Sequence, residues 1–436
     1  MYGRMGGTTL LAVPGVRVIV AYLLSLIGLY PVIYHGIVTG STSASAAANT
    51  TALAALWLSV ATAGGGTILW SAGTFPLNAT TLDHALSSNP SMNMQGLGSS
   101  ARIELYGTTG PFLNVASGST SSIARCIWRD LRIDHKATPT SGATLQFGHS
   151  QQIVLDNIRM PAVSSSLASF NPIRLAASAN GFHILNSKFE TQSTGAITPI
   201  GLDVAVSTGT CGGLVILNTD FSGYQNNSIG IRFVNTIDWD TVWLGPGTLL
   251  KDHETGFLKS AGGAKLSNVI MNGAVIDAVA GAAVQLDAPA SSTIENVQIT
   301  GCWLKGTDYG VLLAESSGTM AGVQITGTYI TDATAAGVSV GTGVDSVLLV
   351  GNRIATNISD AGNWAVDVNG TSANVLIASN LISAGATAAG LVRISANVDP
   401  VVLNGNILRG GADADGISFG SSTDASHVNA NNAYLS

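Results

Sequence analysis

The chain has 436 residues, of which 10% are charged, and a net charge of −7. That is far below the roughly 25% of an average soluble protein, so its surface is made of small polar residues or is buried against partners. The acidic balance excludes the basic stripe of a nucleic-acid binder, and three widely spaced cysteines, Cys126, Cys211 and Cys302, form neither a disulfide framework nor a zinc pattern; no metal or cofactor is expected.

The first element is the apolar stretch VIVAYLLSLIGLYPVIY (18–34). It falls short of the roughly 20 apolar residues a membrane span needs, and Ser25, Gly28 and Pro31 interrupt it, so no span is expected. Arg4 and Arg17 before it and SASA (43–46) after it resemble an export signal, which would make the protein secreted. The reading taken is an uncleaved assembly segment, residues 1–45, packed against another chain. Next comes NTTALAALWLSVATAGGGTILWSAGTFPLN (49–78). Asn49 or Thr50 is suited to N-cap a helix from about Thr51 to Ala61, with Leu53, Leu56 and Trp57 on one face. Gly64, Gly65 and Gly66 stop it, and TILW and TFPLN read as strands. Residues 46–110 are therefore expected to form a helical cap and entry strands.

From residue 111 to the end one octet recurs: apolar, any, apolar, polar, Gly or Asn, any, any, apolar. Copies start at 126, 153, 182, 214, 237, 269, 297, 323, 347, 375, 401 and 428, with steps of 23 to 32 residues. VQITGCWL (297–304) and VQITGTYI (323–330) are nearly identical. A period of this length marks a solenoid. The unit must be β, because each octet is rich in Val and Ile and alternates at period two before its turn. A second strand lies between octets, as in GVLLAESS (310–317), GVSVGTG (337–343) and GLVRISAN (390–397). The expected fold is all-β: a single-stranded right-handed parallel β-helix of about twelve coils, about 55 Å long at one strand spacing per coil. Positions 1, 3 and 8 point inward. Asn157, Asn186 and Asn218 share position 5, and Asn352, Asn380 and Asn406 share position 6, where stacked amides bond along the axis. Position 2 faces outward yet holds Ile127, Val154, Val215, Ile270, Leu348, Leu376 and Val402, a row expected to be an interface. The last octet ends at Leu435, so another chain or partner is expected to cover the final coil.

The helix, GGGT (64–67), AGTF (72–75) and MNMQGLGSSARIELYG (92–107) are similar to the entry segment of pectate-lyase-like right-handed β-helix proteins, most of all the phage tailspike and receptor-binding branch. That branch often carries an acidic stretch before its helix; here the stretch is STSASAAANTTA, so no acid or metal role is carried over. The resemblance implies a homotrimer, a virion tail location after synthesis in the host cytoplasm, attachment to other tail proteins through residues 1–45, and recognition or cleavage of a bacterial surface polysaccharide.

No GxSxG, HExxH or P-loop occurs. What remains is a row. Position 7 of successive octets gives Arg132, Arg159, Lys188, Asp220, Trp243, Val275, Trp303, Tyr329 and Arg353. Aromatic faces stack on sugar rings, and Arg or Lys holds acidic groups or hydroxyls, so Arg132, Arg159, Lys188, Trp243, Trp303, Tyr329 and Arg353 are the glycan-binding candidates. The alternative is that these side chains pack on loops or on another protomer. Position 9, expected to face outward on the same edge, holds Asp134, Glu190 and Asp277. Glu190 and Asp220 fall in adjacent coils, a separation of roughly 8 Å, which suits the ~6.5–9.5 Å of an inverting glycosidase. Asp238 and Asp240 are expected to face outward and could replace either. A lyase would instead use Lys188 or Arg159 as base. KDHE (251–254) is expected to form a solvated loop beside Trp243. Binding without cleavage and depolymerisation both remain open.

Overall fold

The computed structural model describes residues 9–13, 16–22, 31–38 and 43–435, except 85–88, 98–100, 117, 119–121, 138–141, 162–170, 191–197, 210, 224–227, 261–262, 279, 316, 359, 361, 386–387, 396, 411–415 and 421–427. Arg4 and residues 23–30 of the apolar stretch lie outside the described residues. The fold is nearly all β, a right-handed parallel β-solenoid of about twelve turns with one helix near the N-terminus. The chain divides into two compact units, residues 1–210 and 211–436.

In the first unit the stretch before the helix is strand. Thr9–Val13, Val16–Tyr22 and Pro31–Val38 form an antiparallel meander. Pro31–Val38 then pairs in parallel with Gly65–Trp70. Among the described residues no helix is long and apolar enough to cross a membrane. The helix runs Ser43–Thr62, eight residues earlier than expected at its start. SASAAA is Ala-rich and propagates a helix well, so Asn49 is not needed as a cap. Asn49 is instead buried within the helix, and its Nδ2 donates to the Pro76 carbonyl at 2.9 Å. Leu53, Trp57, Val60 and Ala61 form the buried face. Trp57 meets Trp128 edge-on at 6.3 Å between ring centroids, which puts the helix against the interior of the coils.

Inward residues stack from coil to coil. In the first unit Ile68, Met94, Trp128, Leu155 and Ile184 are register partners in series, all fully buried. In the second, Ile216, Leu244, Met271, Ile299, Ile325, Leu349, Ile377 and Leu403 do the same. Each such side chain contributes about 1.5–3 kcal/mol of burial, available only when the next coil covers it. The strands between octets form a second sheet, with Tyr309–Glu315 beside Ala336–Val340 as an example.

The octet is explained by its corner. Position 5 is left-handed in coil after coil: Asp130, Asn157, Asn186, Asn218, Gly273, Gly301, Gly327, Gly351, Ser379 and Gly405 have φ between 45° and 66°. Gly and Asn tolerate that region best. At position 6, Asn352 Nδ2 donates to Asn380 Oδ1 at 3.0 Å, Asn380 to Asn406 at 3.0 Å and Asn406 to Asn432 at 2.8 Å. Each amide also donates to a backbone carbonyl of the preceding coil, at 2.7 to 2.9 Å for the first three.

Two octets need correction. Leu214, Val215 and Ile216 pair with Val242, Trp243 and Leu244, so the fifth octet starts at 242 rather than 237. It is VWLGPGTLL (242–250), one residue longer than the rest, and the insertion let IDWDTVWL fit the template out of register. The last octet starts at 427, because Val402 pairs with Val428 and Ile407 with Ala433. A one-residue slip exchanges inward for outward side chains; in the right register Asn432 joins the amide ladder.

Candidate functional site

Position 7 is the outermost residue of a short strand whose position 8 is buried and whose position 6 lies under the corner. Its side chain is thus held on a rigid sheet and points away from the core. In the first unit the register partners are Arg102, Arg132, Arg159 and Lys188. Arg102 was not expected. RIEL (102–105) echoes RIDH (132–135), and that likeness is the signal that reveals it.

Two residues further on, the first, second and fourth of these coils carry a carboxylate: Glu104, Asp134 and Glu190. Asp134 is not outward as expected; it and Glu104 have side chains only 6% and 4% exposed. Asp134 takes an ion pair from Arg102 and another from Arg132 Nε at 3.0 Å. Lys136 Nζ reaches Glu104 at 3.1 Å, and Lys188 Nζ reaches Glu190 at 2.7 Å. The cations stand above the acids, so what this face presents is positive on a chain that is negative overall. Arg132, Arg159, Met160, Pro161, Lys188 and Glu190 line a cleft of about 220 Å³.

In the second unit position 7 runs Asp220, Leu249, Val275, Trp303, Tyr329, Arg353. Trp303 is 46% exposed. Arg353 lies over the Tyr329 ring, its Cζ 4.9 Å from the centroid, a cation–π contact. Trp243 does not belong to this row. It stands at position 2, between Val215 and Ile270, and is 37% exposed.

Of the acids expected to do chemistry, Asp238 and Asp240 are exposed, as expected. Glu190 belongs to the first unit and Asp220 to the second. Asp220 Oδ1 accepts from the Ser222 hydroxyl. Asp238 and Asp240 precede their octet and serve the corner. Asp238 accepts the Lys265 backbone N–H at 2.9 Å. Asp240 accepts from Asn268 Nδ2 at 2.6 Å and Ser267 Oγ at 3.0 Å. Those bonds, the Asn268 amide above all, hold the Asp240 carboxyl below the usual carboxylate range. KDHE is no solvated loop: Leu249–His253 is a strand and His253 is fully buried. Among the described residues no group of three or more His, Cys, Asp or Glu side chains is placed to hold a metal.

No known family matches the chain, and no curated protein matches it. Some solved structures are similar to it at low identity. The A-module of mannuronan C-5 epimerase AlgE6 of Azotobacter vinelandii is 14% identical, over 89% of this chain and 95% of that one, at a TM-score of 0.45. Tailspike protein 3 of bacteriophage CBA120 is 12% identical, over 88% and 58%, at 0.39. The catalytic unit of a GH87 α-1,3-glucanase from Streptomyces thermodiastaticus is 11% identical, over 89% and 67%, at 0.34. At such scores these likenesses carry nothing about chemistry.

Proposed function

We propose that the chain is a tail spike or fibre protein that binds a bacterial surface polysaccharide along its position-7 face without cleaving it. The observation that carries this reading is the face itself. Side chains of the kind that hold sugars project from rigid sheet, in register: Arg132, Arg159 and Lys188 in one unit, and Trp303, Tyr329 and Arg353 in the other. A ligand meeting such a row finds it already ordered, which lowers the entropy lost on binding. Trp243 joins the proposal as a separate contact on the position-2 row. Attachment to the virion through residues 1–45 and assembly as a homotrimer belong to the same reading and rest on the resemblance of the entry segment.

Depolymerisation is kept as a second reading because Glu190 lines the cleft. With Asp238 and Asp240 engaged at a corner, Glu190 and Asp220 are the acids to test, each by its own substitution. The experiment is to incubate the purified protein with a panel of bacterial surface polysaccharides and assay new reducing ends beside retained binding. Binding with no new ends is expected, weakened by Trp303→Ala. Cleavage that is lost in both Glu190→Gln and Asp220→Asn would make the protein a hydrolase instead.

A further inference from the structure

The basic ladder of the first unit has one irregular rung. Arg102, Arg132 and Lys188 each have a carboxylate two residues along their own strand: Glu104 at 3.4 Å, Asp134 at 3.0 Å and Glu190 at 2.7 Å. Arg159 has Pro161 at that place. Arg159 is exposed, and no carboxylate among the described residues pairs with it. The sequence from 162 to 170, which continues from Pro161, contains no Asp or Glu. Its register partners on either side are Arg132 and Lys188, both cations. Like charges directly opposite on neighbouring strands repel. Elsewhere in the ladder an acid two residues along the same strand offsets that repulsion; Arg159 has none at that place, and the one carboxylate in the cleft wall, Glu190, is engaged by Lys188. The same residue stands in the middle of the 220 Å³ cleft, between Arg132 and Lys188, with Met160 and Pro161 as apolar lining.

The geometry points to Arg159 as an anion subsite, and to a polysaccharide that carries carboxylates as the ligand of this cleft. The inference rests on the glycan-binding reading above and narrows it. The guanidinium presents a planar fork of N–H donors that matches a carboxylate in bidentate fashion. Arg132 and Lys188 are each engaged by an acid two residues along their own strand, so they do not compete with Arg159 for the ligand's oxygens. Pro161 has no carboxylate to offer and so leaves the fork to the ligand.

The test uses the full chain with polygalacturonate and polysialic acid, each beside its carboxyl-reduced counterpart. Binding of at least one polyanion is expected, with a loss of about tenfold or more on reduction of its carboxyls, the scale of a charged hydrogen bond. Arg159→Gln should cause a similar loss, and Arg159→Lys a smaller one, because the charge remains and the fork is gone. Pro161→Asp supplies the missing acid and should also abolish the preference for carboxylate. Should that variant misfold, the two Arg159 variants, at an exposed side chain, carry the test alone. If neither polyanion binds better than its reduced form, the anion subsite is overturned. Binding of a neutral surface polysaccharide in the same assay would leave the glycan-binding reading standing, and binding of nothing in the panel would remove both.

Discussion

His253 shows how far one residue's environment departs from its letter. It lies in the densest charged run of the chain, yet the fold buries it entirely. Its Nε2 faces the Phe221 carbonyl at 2.9 Å, and a carbonyl only accepts, so Nε2 carries the proton. Nδ1 then accepts from the Ser228 hydroxyl at 3.0 Å. Burial pushes its pKa down to about 4. His135, edge-on to Phe112 at 4.6 Å, is pushed to about 4 by the same cause. The folded values lie below the unfolded one of about 6.5, so between the two the unfolded chain binds more protons. Stability is full above about pH 6.5 and falls as the pH drops toward 4. By pH 5 each histidine removes about 2 kcal/mol, reckoned from 1.36 kcal/mol per unit. Urea midpoints at pH 7.5 and 5 should show this, and His253→Gln, which cannot take up a proton there, should remove about half of the dependence and leave the share of His135. A midpoint unchanged between the two pH values would mean that neither ring is held neutral by burial.

The repeating element was legible because two local demands coincide in eight residues. The strand needs alternation, and the corner needs positive φ, so Val or Ile alternates up to a Gly or Asn. Gly327 has φ 56°, and a Cβ there would meet nothing within 4 Å. The demand at this corner is therefore conformational and not spatial. Gly327→Val should cost about 1–2 kcal/mol. Gly327→Asn should cost less, since Asn157, Asn186 and Asn218 occupy the same corner in other coils. Thermal unfolding of the two variants measures the difference, and equal losses would show that φ is not what selects the residue. A second left-handed residue precedes ten of the octets: Gly181, Gly213, Gly322, Asn268, Asn296 and Asn374, and also Arg125, Gln152, Thr241 and Ser346. Six of these ten are Gly or Asn, so the local demand for positive φ shows in composition there too, less strictly than at position 5. This corner also marks the start of the fifth octet, because Thr241 stands immediately before Val242.

At the scale of the whole molecule, the position-2 row bears on assembly. Val154, Val215, Ile270, Leu348, Leu376 and Val402 are half-buried within the single chain, while Ile127 is 46% exposed. The expected homotrimer should appear in light scattering as a mass three times that of one chain at micromolar concentration. A single-chain mass would show that this row is not an interface. By itself, the sequence determined the fold class, the inward rows, the glycine and asparagine corners and ten of the twelve octet registers, because each depends on contacts between residues a few places apart. Only the tertiary structure decided what depends on residues a full coil apart. It moved Trp243 to position 2, because its pairing with Val215 and Ile270, a coil away on either side, sets where that octet starts. It committed Asp238 and Asp240 to a corner, because their donors sit on the next coil. It set Arg102, Arg132, Arg159 and Lys188 in line, because register, and not spacing along the chain, decides which of these cations become neighbours.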